Sequence, residues 1–156
     1  MNLRAMKIED LDDVLAIEKE AFTDHWPRSA YEYEVNENEF STAYVVEEAG
    51  LIIGVVVFYI IFDDAQIATI AVRQSHRGQG IATFMMNQVI EDANQAGCSM
   101  LSLEVRISNT AAIHLYEKFG FINVNIRKGY YADGEDAYLM IMALGGNYND
   151  DEDISD

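Results

Sequence analysis

The chain has 156 residues, half of them hydrophobic, a length and apolar content that suit one globular domain with a substantial core. Its formal net charge of −17 excludes nucleic acid as the primary ligand, because phosphates would be repelled over most of the surface; a cationic partner such as a basic peptide or a polyamine is favoured, unless the acidity serves only solubility. No stretch reaches eighteen consecutive apolar residues and the start lacks a basic-then-apolar layout, so neither a membrane span nor a signal peptide is expected and the cytoplasm is the expected compartment.

A first strand is predicted from Asn2 to Ala5. From Ile8 to Phe22, the spacing of Ile8, Leu11, Leu15 and Phe22 predicts an amphipathic helix packed on a sheet, and Glu9, Asp10, Asp12 and Asp13 read as its solvated start. Trp26-Pro27 opens a second, acidic helix from about Arg28 to about Glu39. Ala43 to Glu48 and Leu51 to Phe62 form a hairpin about Ala49-Gly50, and Asp63-Asp64 returns the chain into Ala65 to Val72, giving four strands in a meander with tight turns. A helix follows from Ile81 to Ala96, with Ile81, Phe84, Met85, Val89 and Ala93 on its apolar face and Gly97 as its C-cap. Ser99 to Val105 is the next strand and Asn109 to Lys118 the next helix, closed by Gly120; the intervening helix lets the strands ending at Val72 and Val105 lie parallel. Phe121 to Ile126 and Ala137 to Leu144 are strands around Asp133-Gly134-Glu135-Asp136, which is too short for an EF-hand loop and reads as only a turn. The expected division is a domain over 1–146 and an acidic, disordered tail over 147–156.

Cys98 is the only cysteine, so no intrachain disulfide can form, and His25, His76 and His114 share no metal-ligand spacing with it. No metal is expected, Cys98 reads as buried and inert, and His76 and His114 read as surface residues. The chemistry-bearing stretch is Ile70-Ala71-Val72-Arg73-Gln74-Ser75-His76-Arg77-Gly78-Gln79-Gly80-Ile81-Ala82, an apolar strand running into a basic, glycine-bearing loop and then a helix. Gly78 and Gly80 permit a sharp turn with backbone N–H groups close to an anion, and the helix start adds free donors and the positive end of its dipole. A phosphate or pyrophosphate suits this cradle, but the spacing fits neither a dinucleotide fingerprint nor a nucleotide P-loop.

The order Arg77-x-x-Gly80-x-Ala82 after a strand is similar to the acetyl-coenzyme A loop, Gln/Arg-x-x-Gly-x-Gly/Ala, of the GNAT N-acetyltransferase superfamily. Leu103-Glu104-Val105-Arg106 followed by Asn109-Thr110-Ala111-Ala112-Ile113-His114-Leu115-Tyr116 and Gly120-Phe121 resembles the strand-then-helix motif of the same superfamily. The joint resemblance covers the chain except its tail. It implies an α/β fold with a central mixed, mostly antiparallel sheet of about seven strands and helices on both faces, and acetyl-coenzyme A as cosubstrate. Leu-Glu-Val-Arg, Tyr130-Tyr131 and Gly134 to Met140 are further similar to protein N-terminal acetyltransferases, above all the RimI family of bacterial ribosomal-protein-alanine enzymes. That implies a basic protein partner whose N-terminal alanine is acetylated, although the Tyr-Tyr-Ala-Asp-Gly-Glu-Asp-Ala-Tyr run also resembles archaeal and eukaryotic N-terminal acetyltransferases.

The resemblance assigns roles residue by residue. The backbone of Ile70, Ala71 and Val72 would pair with the pantetheine arm, Arg77, Gly78, Gln79, Gly80, Ile81, Ala82 and Thr83 would hold the pyrophosphate, and Asn109 would contact coenzyme A. Tyr116 would donate a proton to the departing thiolate or hydrogen-bond to it, and Phe22, Trp26, Tyr33 and Tyr131 would meet the acceptor. Glu104 is the candidate base, since an α-amine of pKa about 8 leaves a strand-end carboxylate only modest work. A bare ion pair of Glu104 with Arg106 or Arg127, and simple packing of Tyr116 on the sheet, are the structural alternatives. Acetylation of a small polyamine or aminosugar, and a silent coenzyme A-binding module, are the functional ones.

Overall fold

In the computed structural model, residues 1–145 are described, so the acidic tail expected over 147–156 lies outside the described residues. The elements are β1 (Asn2–Ala5), α1 (Leu11–Ala21), α2 (Arg28–Asn36), β2 (Ser41–Glu48), β3 (Leu51–Ile61), β4 (Asp64–Val72), α3 (Ile81–Gln95), β5 (Met100–Arg106), α4 (Thr110–Phe119), β6 (Ile122–Arg127) and β7 (Ala137–Ala143), with single 3-10 turns at Ile8–Asp10 and Gln74–His76. The seven strands join one sheet in the order β1-β2-β3-β4-β5-β7-β6. The β1–β2, β2–β3, β5–β7 and β6–β7 ladders are antiparallel, whereas β4 and β5 run parallel, as the crossover through a helix requires. β1 departs from the expected run of tight turns, because it reaches β2 only across the segment that holds α1 and α2.

The described residues form two compact units, Met1–Tyr59 with Ile67–Val89, and Ile60–Gln66 with residues 90–145. In the first unit, Leu11, Val14 and Ile17 of α1 pack with Val45, Ile52, Val55, Val57 and Ala71 of the strands. Ile8, expected on this face, is exposed, and Leu15 only half-buried. The reason lies one turn upstream, where Asp10 accepts Arg4 Nη1 and Nη2 at 2.9 Å each and the Lys7 N–H at 2.8 Å. Those bonds fix Ile8–Asp10 as a 3-10 turn, so the α-helical phase begins at Leu11. Asp10 is therefore buried and ion-paired rather than solvated, with the Arg4 guanidinium holding its carboxyl below the usual range. Asp12 and Asp13 pair with Arg28 and Arg73. The second helix ends at Asn36, short of Glu39, because the Glu37 and Asn38 N–H groups both turn back to the Tyr33 carbonyl at 2.9 Å.

Three backbone positions in this unit depend on glycine or on turn chemistry. Ala49 and Gly50 take φ of 53° and 81°, the paired positive values of a tight hairpin turn between β2 and β3. Gly54 on β3 lies so near α3 that an added Cβ would meet Ile81 Cγ2 at 3.0 Å and Met85 Cε at 3.1 Å.

In the second unit β5 alternates strictly, burying Leu101, Leu103 and Val105 and turning Ser102, Glu104 and Arg106 to the other face. Its parallel ladder with β4 joins Asp64, Ala65 and Gln66 to Met100, Leu101 and Ser102, while its antiparallel ladder with β7 runs from Met100↔Ala143 to Arg106↔Ala137. That second ladder carries β5 one residue past the expected end at Val105. Gly97 ends the α3 helix with φ of 82°, and the Cys98 N–H closes the cap on the Ala93 carbonyl at 3.0 Å.

Candidate active site

The glycine loop is built within the first unit. β4 delivers Ile70, Ala71 and Val72, after which the Arg73 N–H and Nε bond the Ile53 and Ile52 carbonyls, each at 2.8 Å, and anchor the strand's end to β3. The Gln74 N–H reaches Glu20 Oε1 at 3.0 Å, and Arg77 Nε reaches back to the Val72 carbonyl at 3.3 Å. Gly78 and Gly80 take φ of 79° and 82°, values that an L side chain resists, and no heavy atom lies within 4 Å of where their Cβ atoms would stand. The Phe84 N–H bonds the Gly80 carbonyl at 3.0 Å and so opens α3, leaving the Ile81, Ala82 and Thr83 N–H groups in a first turn without intrahelical acceptors. Open space, left-handed glycines and oriented donors together fit a pyrophosphate.

The first unit also holds the aromatic candidates. Phe22 and Trp26 are half-buried and pack against the core, Trp26 with its ring centroid 5.0 Å from that of Tyr31; Tyr33 is half exposed. Beneath them lies a polar cluster the sequence reading passed over. Glu18 is 1% exposed and accepts the Tyr31 hydroxyl, the Thr69 hydroxyl at 3.4 Å and the Trp26 N–H at 3.4 Å. Burial pushes its carboxyl up, and burial together with the Glu18 charge pushes the Tyr31 phenol far above its ordinary value. Glu34 is likewise buried, accepting the Tyr59 hydroxyl at 2.8 Å and Asn38 Nδ2 at 2.9 Å. The signal was present: Glu18 stands four residues after Val14 and seven after Leu11, a carboxylate on the apolar stripe of its own helix.

Glu104 belongs to the second unit, its side chain only 9% exposed. Of the two arginines considered from sequence, Arg127 is its partner, with Nε 3.0 Å from Oε2, and Gln66 Nε2 is 3.5 Å from Oε1. Arg106 instead meets Asp133 Oδ2 at 2.9 Å and Glu135 Oε1 at 2.8 Å, and its guanidinium carbon stands 4.1 Å from the centre of the Tyr131 ring. Asp133-Gly134-Glu135-Asp136 is thus more than a turn. Glu135 also accepts the Ser108 N–H at 2.9 Å, and Asp136 accepts the Gly129 N–H at 2.8 Å. Donated hydrogen bonds first, and nearby cations second, hold all three carboxyls below their usual range.

Tyr116 is buried in α4, its ring 5.8 Å from that of Phe121, and burial followed by the proximity of Tyr131 pushes its phenol well above the ordinary value. Asn109 is not a helical residue but the N-cap of α4, its Oδ1 accepting the Ala112 N–H at 3.2 Å. Tyr130 and Tyr131 meet edge to face at 5.0 Å, and Tyr130 has Glu104 and Arg127 as its charged neighbours. Cys98 is buried, with its thiol pushed up by desolvation; His114 is exposed, and His76 half-buried beside the Ser75 hydroxyl at 2.8 Å. Among the described residues no group of three or more His, Cys, Asp or Glu could hold a metal ion, and no helix is long and apolar enough to cross a membrane.

A sheet strand emptying into a glycine loop and helix, followed by a carboxylate-bearing strand and a helix with a buried phenol, is the layout of an acetyl-coenzyme A-dependent acetyltransferase. Residues 11–121 match the Acetyltransferase (GNAT) family, and the chain belongs to that family. It is 40% identical over 143 residues to a candidate ribosomal protein bS18-alanine N-acetyltransferase of Bacillus subtilis, covering 91% of this chain and 95% of that one. It is 32% identical over 159 residues to an N-alpha-acetyltransferase of Saccharolobus solfataricus, covering 91% and 92%. Among solved structures, the ribosomal-protein-S18-alanine N-acetyltransferase of Escherichia coli superposes with a TM-score of 0.83 at 29% identity, over 92% of this chain and 93% of that one.

Proposed function

We propose that the protein acetylates the α-amine of a protein N-terminus, specifically the N-terminal alanine of a small-subunit ribosomal protein. The observation that carries this reading is the 40% identity, over nearly the whole of both chains, to a candidate bS18-alanine enzyme. An acceptor on a ribosomal protein is basic, which suits a chain of net charge −17, and it puts the reaction in the cytoplasm.

Acetyl-coenzyme A brings an acetyl group already activated as a thioester. The Gly78–Thr83 N–H groups and Arg77 hold its pyrophosphate, the backbone of Ile70–Val72 pairs with the pantetheine amides as an added strand would, and Asn109 contributes a further contact. An N-terminal amine with a pKa of about 8 is roughly one-tenth neutral at pH 7, so general-base help is needed but not heroic. Glu104, directly or through a water, takes that proton, with Arg127 holding the carboxylate oriented. Tyr116 faces a harder task. With its phenol pushed above the ordinary value, full proton transfer to a thiolate is uphill, so its main contribution is a hydrogen bond from a hydroxyl that stays protonated throughout the neutral range. The resemblance offers Phe22, Trp26 and Tyr33 of the first unit, and Tyr131 of the second, as the candidates for meeting the acceptor.

Mass spectrometry tests the reading: the purified protein is incubated with acetyl-coenzyme A and an Ala-starting basic peptide whose lysines are blocked. One acetyl group on the α-amine is the expected result. No transfer to the peptide alongside acetylation of spermidine or an aminoglycoside would overturn it in favour of a small-amine enzyme. Binding of coenzyme A with no transfer to any amine would overturn it in favour of a binding module.

A further inference from the structure

Arg106 stands two residues after Glu104 on β5 and is the hub of a small electrostatic latch. Its Nη1 contacts Asp133 at 2.9 Å and Glu135 at 2.8 Å, and its guanidinium carbon lies over the Tyr131 ring, 4.1 Å from the centroid. Its side chain is only 16% exposed, so these contacts are less screened than those of a surface pair. The turn it grips is also tied to itself and to the start of α4. The Gly134 N–H bonds the Tyr131 carbonyl at 2.8 Å, the Tyr131 N–H bonds the Glu135 carbonyl at 3.2 Å, and the Ser108 N–H bonds Glu135 Oε2 at 2.9 Å.

We propose that Arg106 is a positioning residue for the acceptor: by holding Asp133, Glu135 and the Tyr131 ring together, it fixes the Tyr130–Tyr131 turn beside Glu104 and Tyr116 before the acceptor arrives. Three features carry this. Tyr130 has Glu104 and Arg127 as charged neighbours, and Tyr131 is the electrostatic neighbour of Tyr116, so the turn neighbours both groups assigned to proton handling. Tyr130 is half exposed, open to an incoming chain. The latch joins two carboxylates and an aromatic ring through one guanidinium, whose charge is spread over a plane rather than held at a point as in lysine. Pre-ordering such a turn lowers the cost of binding an extended acceptor without touching the acetyl donor.

The inference rests on the protein N-terminal acceptor proposed above, and its test keeps the two apart. The full chain and its Arg106→Gln, Arg106→Lys and Asp133→Asn/Glu135→Gln variants are compared by steady-state kinetics on the Ala-starting peptide and, without any substrate, by hydrogen exchange of residues 129–136. Loss of the latch is expected to raise the peptide KM about tenfold or more while leaving the acetyl-coenzyme A KM within about twofold. Exchange over 129–136 quickens, and Arg106→Lys lies nearer to Arg106→Gln than to the parent. The carboxylate variant reproduces the effect from the loop side, should the Arg106 variants fold poorly. The inference is overturned if exchange over 129–136 is unchanged, if both KM values rise together, or if lysine restores the parent behaviour. A parent protein that never acetylates the peptide, yet shows the exchange changes in its variants, would overturn the acceptor reading and leave the latch as a device for another amine.

Discussion

Replacing Glu18 by Gln probes the buried cluster directly. Glu18 is 1% exposed and takes three hydrogen bonds, two of them long at 3.4 Å, and none comes from an Arg or Lys. Desolvation therefore outweighs the donors and pushes the carboxyl up. A carboxyl raised above its unfolded value of about 4.3 contributes stability that is fully present below that pH and is lost as pH rises through the folded pKa. The Gln variant has no such loss. Its amide oxygen can still accept the Tyr31 and Thr69 hydroxyls, but its NH2 then faces the Trp26 N–H, donor against donor, so the pH-independent offset should be about 1–3 kcal/mol against the variant. On top of that offset, the variant should gain on the parent by up to about 1.4 kcal/mol per pH unit above the unfolded value, levelling once Glu18 is ionised. Urea unfolding of both proteins at half-unit steps from pH 4.5 to 8 measures the difference, and the other carboxylates cancel because both proteins share them. A difference that is flat with pH, or one that moves in the parent's favour, would show that the donors outweigh burial at Glu18.

The remaining expectations concern separate elements. Tyr116→Phe keeps the buried ring and should lower kcat about 10- to 100-fold with little change in either KM; a parent-like kcat would remove Tyr116 from the chemistry. Gly80→Ala forces an L side chain to φ of 82° in otherwise open space, so it should cost about 1–2 kcal/mol in thermal or urea unfolding and raise the acetyl-coenzyme A KM more than the peptide KM. Asp10→Asn breaks the Arg4 pair, at a cost of about 1–3 kcal/mol at pH 7. Because the Asp10 carboxyl is held low, its stabilisation is present above the unfolded value and fades as pH falls through the folded pKa, so urea midpoints of variant and parent should converge toward pH 3 and below.

Glycines and motif spacing made the succession of helices and strands and the glycine loop legible, though not the place of β7 between β5 and β6. Gly78 and Gly80 need positive φ, Gly97 and Gly120 end helices, and Ala49-Gly50 turns a hairpin, all of which are local demands written in single residues. Ionic and polar partners were not legible, because they join residues far apart in the chain. Nothing near Glu104 in the sequence distinguishes Arg106 from Arg127, and the strand registers set both opposite Ala137; Arg106 is drawn instead to Asp133 and Glu135, and Arg127 pairs with Glu104. The Asp133–Asp136 run looked like an ordinary acidic turn for the same reason, since Arg106 lies 27 residues upstream of Asp133. Glu18 was missed differently. Apolar periodicity was counted from Ile8, and a one-turn 3-10 entry shifted the buried face so that a carboxylate, not Leu15, shares it.

β3 and β4 each pass through both compact units, so the backbone changes unit at 59/60, at 66/67 and again at 89/90. No single cut yields two complete halves. A nick at the exposed Phe62 tip would split the Ile60–Gln66 segment, and any fragment ending before Ile90 would lack most of the second unit while still carrying part of its sheet. Gene-splitting or truncation aimed at a minimal loop-bearing piece would therefore leave unpaired strand edges prone to aggregation, and useful breakpoints must come as complementary pairs that reassemble.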